Sequence, residues 1–150
     1  MKKWISFLIF SLILSLCTAC AKTPSDQWSI AEKSDREFIN ALQIQITELD
    51  QSKKRVTYEI ENPSTDSYSC GTGADFSLEV LHKGVWHKMD HEPGWAITLE
   101  LHILKPGESK EFTTSLWSEL PAGTYRLVKE IRLEESTQDK AYICCEFVIA

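Results

Sequence analysis

The sequence lacks an apolar run long enough to cross a membrane. The one at its N-terminus, Trp4 to Leu16, is 13 uncharged and mostly apolar residues, whereas a spanning helix needs roughly 20 to cross about 30 Å of hydrocarbon. Positive charge is also in short supply: 16 Lys and Arg stand against 22 Asp and Glu, a formal net charge of −6. An acidic surface repels phosphate backbones, which excludes nucleic acid as a partner, and it repels anionic lipid heads, so charge cannot be what holds the chain to a membrane. Beyond Cys20 there is no CxxC pair and no Cys/His spacing suited to structural zinc. The glycines of "NPSTDSYSCGTG" are followed by no GK[ST], and there is no G-x-S-x-G elbow. Helical periodicity is missing too: residues 26–39 carry only a weak helical pattern. Without crossover helices, parallel βαβ units are excluded.

What is present begins with Lys2 and Lys3, a short apolar stretch, and then Cys17-Thr18-Ala19-Cys20. A positive n-region ahead of an apolar core of this length is the architecture of a secretory signal. Small residues before a cysteine resemble the lipobox of bacterial lipoproteins. The resemblance implies cleavage after Ala19 and acylation of the Cys20 thiol. Cys17 fits less well, because bulky Leu16 would occupy the cut site, and at three places before Cys20 the family's usual Leu is replaced by Cys17, a small hydrophobe. Each buried CH₂ contributes about 0.8 kcal/mol, so two or three acyl chains anchor a protein where one does not. The expected organisation is a signal peptide helix over residues 1–19, a polar tether over 20–39, and a domain over 40–150, carried on the extracytoplasmic face of the cell membrane. Losing Lys2 and Lys3 with the signal takes the charge from −6 to −8. The remaining 131 residues suit one domain. Hydrophobic residues at 43% and charged residues at 25% are enough to build an ordinary globular core.

From about residue 40 the apolar period is two, the mark of half-buried strands. In "LQIQITEL", Leu42, Ile44 and Ile46 alternate with polar neighbours, and in "RVTYEIEN" so do Val56, Tyr58 and Ile60. "DFSLEVLHKG" sets Phe76, Leu78 and Val80 inward, and His82-Lys83-Gly84 turns tightly into "VWHKM". "AITLELHIL" is read with Ile97, Leu99, Leu101 and Ile103 inward and Thr98, Glu100 and His102 outward. Lys105-Pro106-Gly107 turns the chain into "ESKEFTTSLW". "LPAGTYRLVKEIRL" and "AYICCEFVIA" complete the series. Seven or eight short strands separated by turns predict an all-β antiparallel sandwich. Lys129 interrupts the pattern: it shares a face with Tyr125, Leu127 and Ile131. Either a bulge shifts the register, or its ammonium reaches water at the open end of the sandwich.

"LPAGTYRL" resembles the corner before strand F of immunoglobulin-like and fibronectin type III domains, where a tyrosine hydroxyl bonds back to the chain; Tyr125 would take that role. "YEIENPS" at 58–64, "FSLEVLHKGVWHKM" at 76–89, "LKPGESKEF" at 104–112, "LPAGTYRLVKEI" at 120–131 and "CEFVI" at 145–149 together resemble a bacterial Ig-like domain family of secreted lipoproteins. The resemblance covers about residues 40–150. It implies an immunoglobulin-like sandwich and brings no catalytic residues or cofactor with it. In such an order the loop holding Cys70 lies at the same end as the start of the last strand. A disulfide from Cys70 to Cys144, or else to Cys145, follows as an expectation, stabilising by about 4 kcal/mol.

The remaining chemistry is sparse. A redox thiol would need a depressed pKa and exposure, and no cation stands beside any cysteine in the sequence. His87 and His91, with Glu92, are the weak metal candidates, but their spacing suits a helix whereas they sit on a strand and a loop. Trp86 reads as core and Trp95 is open. The expected function is a non-enzymatic, lipid-anchored module that binds a protein or envelope component or serves as an accessory spacer. The alternative is a lipoprotein binding a small ligand or metal through His87 and His91.

Overall fold

Residues 32–134 and 140–150 are described by a computed structural model of the chain. The signal segment and Cys20 lie outside them. The described residues form nine strands and no helix: β1 (Gln43–Asp50), β2 (Arg55–Glu61), β3 (Tyr68–Gly71), β4 (Ser77–His82), β5 (Val85–Lys88), β6 (Leu101–Leu104), β7 (Ser109–Ser115), β8 (Gly123–Leu133) and β9 (Lys140–Ile149). Every pairing is antiparallel. One sheet has the order β1-β2-β7; the other runs β5-β4-β8-β3-β6, with β9 added to β8. Because β9 pairs β8 from Gly123 to Arg132, β4 and β3 must share the opposite edge of β8. They do so end to end, β4 along Tyr125–Val128 and β3 along Ile131–Leu133. The result is the expected antiparallel sandwich, with β3 as the additional strand.

The alternating residues build the core between the sheets. Val56, Tyr58 and Ile60 of β2 are fully buried, as are Leu78 of β4 and Tyr125, Leu127 and Ile131 of β8. Ile143 and Phe147 of β9 join them. Each such side chain stabilises by roughly 1.5–3 kcal/mol relative to exposure. The Tyr125 hydroxyl donates to the Pro121 carbonyl at 2.6 Å, so the corner inferred from "LPAGTYRL" is formed. Lys83 and Gly84 both take positive φ, 50° and 78°, the two-residue hairpin turn whose twist matches its strands. Asn62 is fully buried; its amide donates to the Asp66 and Leu104 carbonyls, both at 2.8 Å, tying the 62–66 turn to β6.

Three features depart from the sequence reading. First, Lys129 needs neither a bulge nor water. Its β8 pairing is unbroken, its side chain is fully buried, and its ammonium donates to the Thr72 and Asp75 carbonyls. Burial holds its pKa below the usual lysine value, and two carbonyl acceptors take the place of a counter-ion.

Second, Glu79 alternates away from the core, as expected, yet is fully buried. Residues 32–39, read as tether, run across this outer face. Lys33 bridges His87, and Phe38 bridges Tyr142. Ser34 Oγ and Arg36 Nη1 each reach Glu79 Oε1 at 2.7 Å, while Arg126 Nε donates to Oε2 at 2.7 Å. The Arg126 guanidinium lies between the rings of Phe38 and Trp86, at 4.5 and 4.3 Å from their centroids. Trp86, read as core, therefore belongs to this outer layer.

Third, "AITLELHIL" forms a strand only over β6, and its apolar residues point the other way. Leu99 is 100% exposed, Leu101 66% and Ile103 53%. The cause is parity. Leu104 lies opposite Tyr68 and His102 opposite Cys70, and Tyr68 and Cys70 face the core. Side chains directly opposite share a face, so Leu104 and His102 turn in, and Leu101 and Ile103 must turn out.

Candidate functional site

Cys20 lies outside the described residues. Cys17 lies outside them as well, and the three described cysteines, Cys70, Cys144 and Cys145, are free thiols. Cys70 is not in a loop but in β3, 2% exposed. It lies opposite Ile131, which on its other side faces Ala141 of β9. The whole of β8 therefore stands between Cys70 and β9, about 10 Å at two strand spacings, and Cys144 and Cys145 are displaced further along β9. A disulfide needs Cα atoms within about 7 Å, so the anticipated Cys70–Cys144 or Cys70–Cys145 bridge does not form in this arrangement. Burial pushes all three thiols upward, that of Cys145 to about 12. This is the opposite of what a redox thiol requires.

His87 and His91 fall into separate clusters. His87 is buried on β5, its ring 6.1 Å from that of His82. His91 stacks on Trp117 at 5.6 Å, and its Nε2 lies 2.9 Å from the Phe76 carbonyl oxygen. Among the described residues, no group of three His, Cys, Asp or Glu is placed to hold a metal ion. The loop that carries His91 is fastened by aromatic rings. Trp95 stacks on Trp117 at 5.2 Å, and their indoles donate to Ala74 and Asp90 carbonyls at 3.1 and 2.8 Å. Glu92 accepts the Ser118 hydroxyl at 2.6 Å. The sequence left Trp95 open; here it anchors the chain just before it enters β6.

After that anchor the chain runs out along the end of the six-stranded sheet. Gly71 ends β3, so residues 97–100 have no strand beside them in the described structure. Ile97, Leu99, Leu101 and Ile103 are all exposed. β6 is the terminal strand of its sheet, with no partner on its outer side among the described residues. Soluble sheets protect such edges with charged side chains, above all lysine, with proline or with bulges; between Ile97 and Ile103 there is neither lysine nor proline, and Glu100 is the one formal charge, while Lys105 and Pro106 come only after the strand.

Behind this segment lies a cavity of about 340 Å³ bordered by Cys70, Gly71, Asp75, Leu99 and Leu101. Asp75 on its wall belongs to the 72–75 turn that Lys129 holds by two carbonyls. Gly71 is required there: a Cβ would come within 1.9 Å of Asp75 Oδ2. At the rim, Glu130 accepts Arg132 at 2.9 Å and Lys140 at 3.1 Å. The arrangement offers unpaired backbone groups beside a row of aliphatic side chains, which suits strand addition. Alternation alone hid this site, because its pattern is the same whichever way the strand faces. The legible signal was the missing edge protection.

The sequence profile described as "Bacterial Ig-like domain" matches residues 36–143. No curated protein matches the chain. Among solved structures, the putative ApaA protein from Bordetella pertussis is similar at 18% identity with a TM-score of 0.46, over 73% of this chain and 92% of that one. A second structural-genomics target is similar at 13% identity with a TM-score of 0.43, over 73% and 88%.

Proposed function

The chain belongs to the bacterial Ig-like domain family, and on that premise we propose that it is a non-enzymatic module, anchored by lipid at Cys20 on the extracytoplasmic face of the cell membrane, that binds a protein partner through the edge of β6. The observation that carries this reading is the row Leu99, Leu101 and Ile103 standing exposed on an unprotected terminal strand. Contiguous apolar surface of this kind marks interaction sites, and backbone pairing along an edge supplies affinity that needs no pocket. Raised thiol pKa values and histidines held in separate clusters support a binding role over a chemical one. The signal architecture and the Cys20 lipobox support the anchor.

Both halves are testable in cells. Labelled palmitate should enter the chain and be lost, together with membrane attachment, in Cys20→Ser; a mature chain that never takes up label would remove the anchor. A photo-crosslinker at Leu99 should give a discrete adduct that disappears when Leu101→Lys is added. An adduct pattern indifferent to Leu101→Lys, or no adduct, would remove the docking edge.

A further inference from the structure

We infer that the occupant of the β6 edge is β6 of a second copy, paired antiparallel about a two-fold axis at Leu101. This inference rests on the reading of β6 as a docking edge and names what docks there. The argument is one of register. An antiparallel pair of identical strands is isologous: if residue i faces j, then j faces i. With the axis at Leu101, Leu101 faces Leu101 and Leu99 faces Ile103 in both directions, so Leu99, Leu101 and Ile103 of both copies form one aliphatic ladder. On the other face, Glu100 lies opposite His102, again in both directions. Opposite charges or hydrogen-bonding partners set directly across strands stabilise, and like charges destabilise.

The neighbouring registers that keep the faces matched fail this test. With the axis at Glu100, the two carboxylates face each other. With it at His102, the two imidazoles face each other and Glu100 faces Leu104. Within one chain, His102 Nε2 already lies 3.7 Å from Glu100 Oε1, so pairing would alternate acid and imidazole across four positions.

The same pairing accounts for where β6 stops. In the single chain, strand structure begins at Leu101 because β3 ends opposite it, at Gly71. In the pair, residues 102–105 of the second copy lie beside 97–100, so the strand extends back toward Ile97, and Leu99, fully exposed in the single chain, gains a neighbour. Anchoring both copies in one membrane raises their effective concentration, which favours weak edge-to-edge association.

The test is cysteine cross-linking of the full chain in its own membrane, read on non-reducing gels. Leu101→Cys should give a homodimer band several-fold above the parent chain, whose Cys70, Cys144 and Cys145 set the background. It should also exceed Val148→Cys, a residue 61% exposed on β9. Leu99→Cys co-expressed with a differently tagged Ile103→Cys should cross-link to each other more than either does to itself. Adding Glu100→Lys, which sets a cation against His102, should reduce the Leu101→Cys dimer about tenfold. Leu101 is exposed, so these variants should melt with the parent. Dimer from Leu101→Cys no greater than from Val148→Cys overturns the second copy as occupant. If the Leu99 photo-adduct then contains a different protein, the docking edge stands with another partner; if there is no adduct, the docking edge falls as well.

Discussion

Glu79 shows how much a single residue can hold in this fold. It is a fully buried carboxylate with three donors, Ser34, Arg36 and Arg126. An ion this deep persists only when paired and hydrogen-bonded. Removing its charge strands Arg126, whose side chain is 11% exposed. Glu79→Gln should therefore destabilise by about 3 kcal/mol, measured as a lower denaturant midpoint at unchanged slope. Arg36→Ala should cost less, because Arg36 is 20% exposed and water can replace it. Cys145 offers a pH test. Burial raises its thiol from 9.0 to about 12, so between those values the unfolded chain loses a proton that the folded chain keeps. Stability contributed at this site is then full below pH 9 and declines toward pH 12. Lys129, whose pKa burial lowers from 10.5, acts in the opposite sense as pH rises toward that value. The clean reading is therefore the difference between parent and Cys145→Ala, which should narrow as pH rises above 9; a constant difference would contradict the burial argument.

At the scale of elements, legibility followed alternation. β2 and β4 declared both their existence and their inward faces, because Val56 and Leu78 alternate with polar residues and have no competing choice. The Lys83-Gly84 turn was legible from residue type. Gly84→Ala meets open space, but at φ 78° it should still cost about 1 kcal/mol in strain, read as a lower melting temperature; no change would mean the turn relaxes to another type. β3 was illegible because all four of its residues are buried and no period survives. β6 was legible as a strand but not as a facing, since its direction is set by Tyr68 and Cys70 across the ladder and not by its own residues. The run 32–39 looked like tether because its role is polar: Ser34 and Arg36 neutralise Glu79 instead of filling a core. The cysteine pairing failed for a reason of the same kind. Chain order placed Cys70 near β9, but its strand β3 and β9 pair with opposite edges of β8.

For the whole molecule, the two sheets have different surroundings. The six-stranded sheet is covered on its inner face by the core and, over β4, β8 and β9, on its outer face by residues 32–39. Its far end, at β6, is uncovered by any of the described residues and is apolar. An acidic body on a lipid anchor would stand off a negatively charged surface, leaving that edge free for lateral contact. The claim on which the account turns is that β6 is occupied in the membrane. Hydrogen exchange of the backbone amides from Leu99 to Ile103, compared between parent and Leu101→Lys in membranes, tests it directly. Leu101 is exposed, so the substitution should leave stability within about 0.5 kcal/mol and report on the edge alone. Amides of this run that bond to β3 stay protected in both; for those that point away from β3 the account predicts protection in the parent and at least tenfold faster exchange in the variant. Equal, rapid exchange of the latter in both would contradict it.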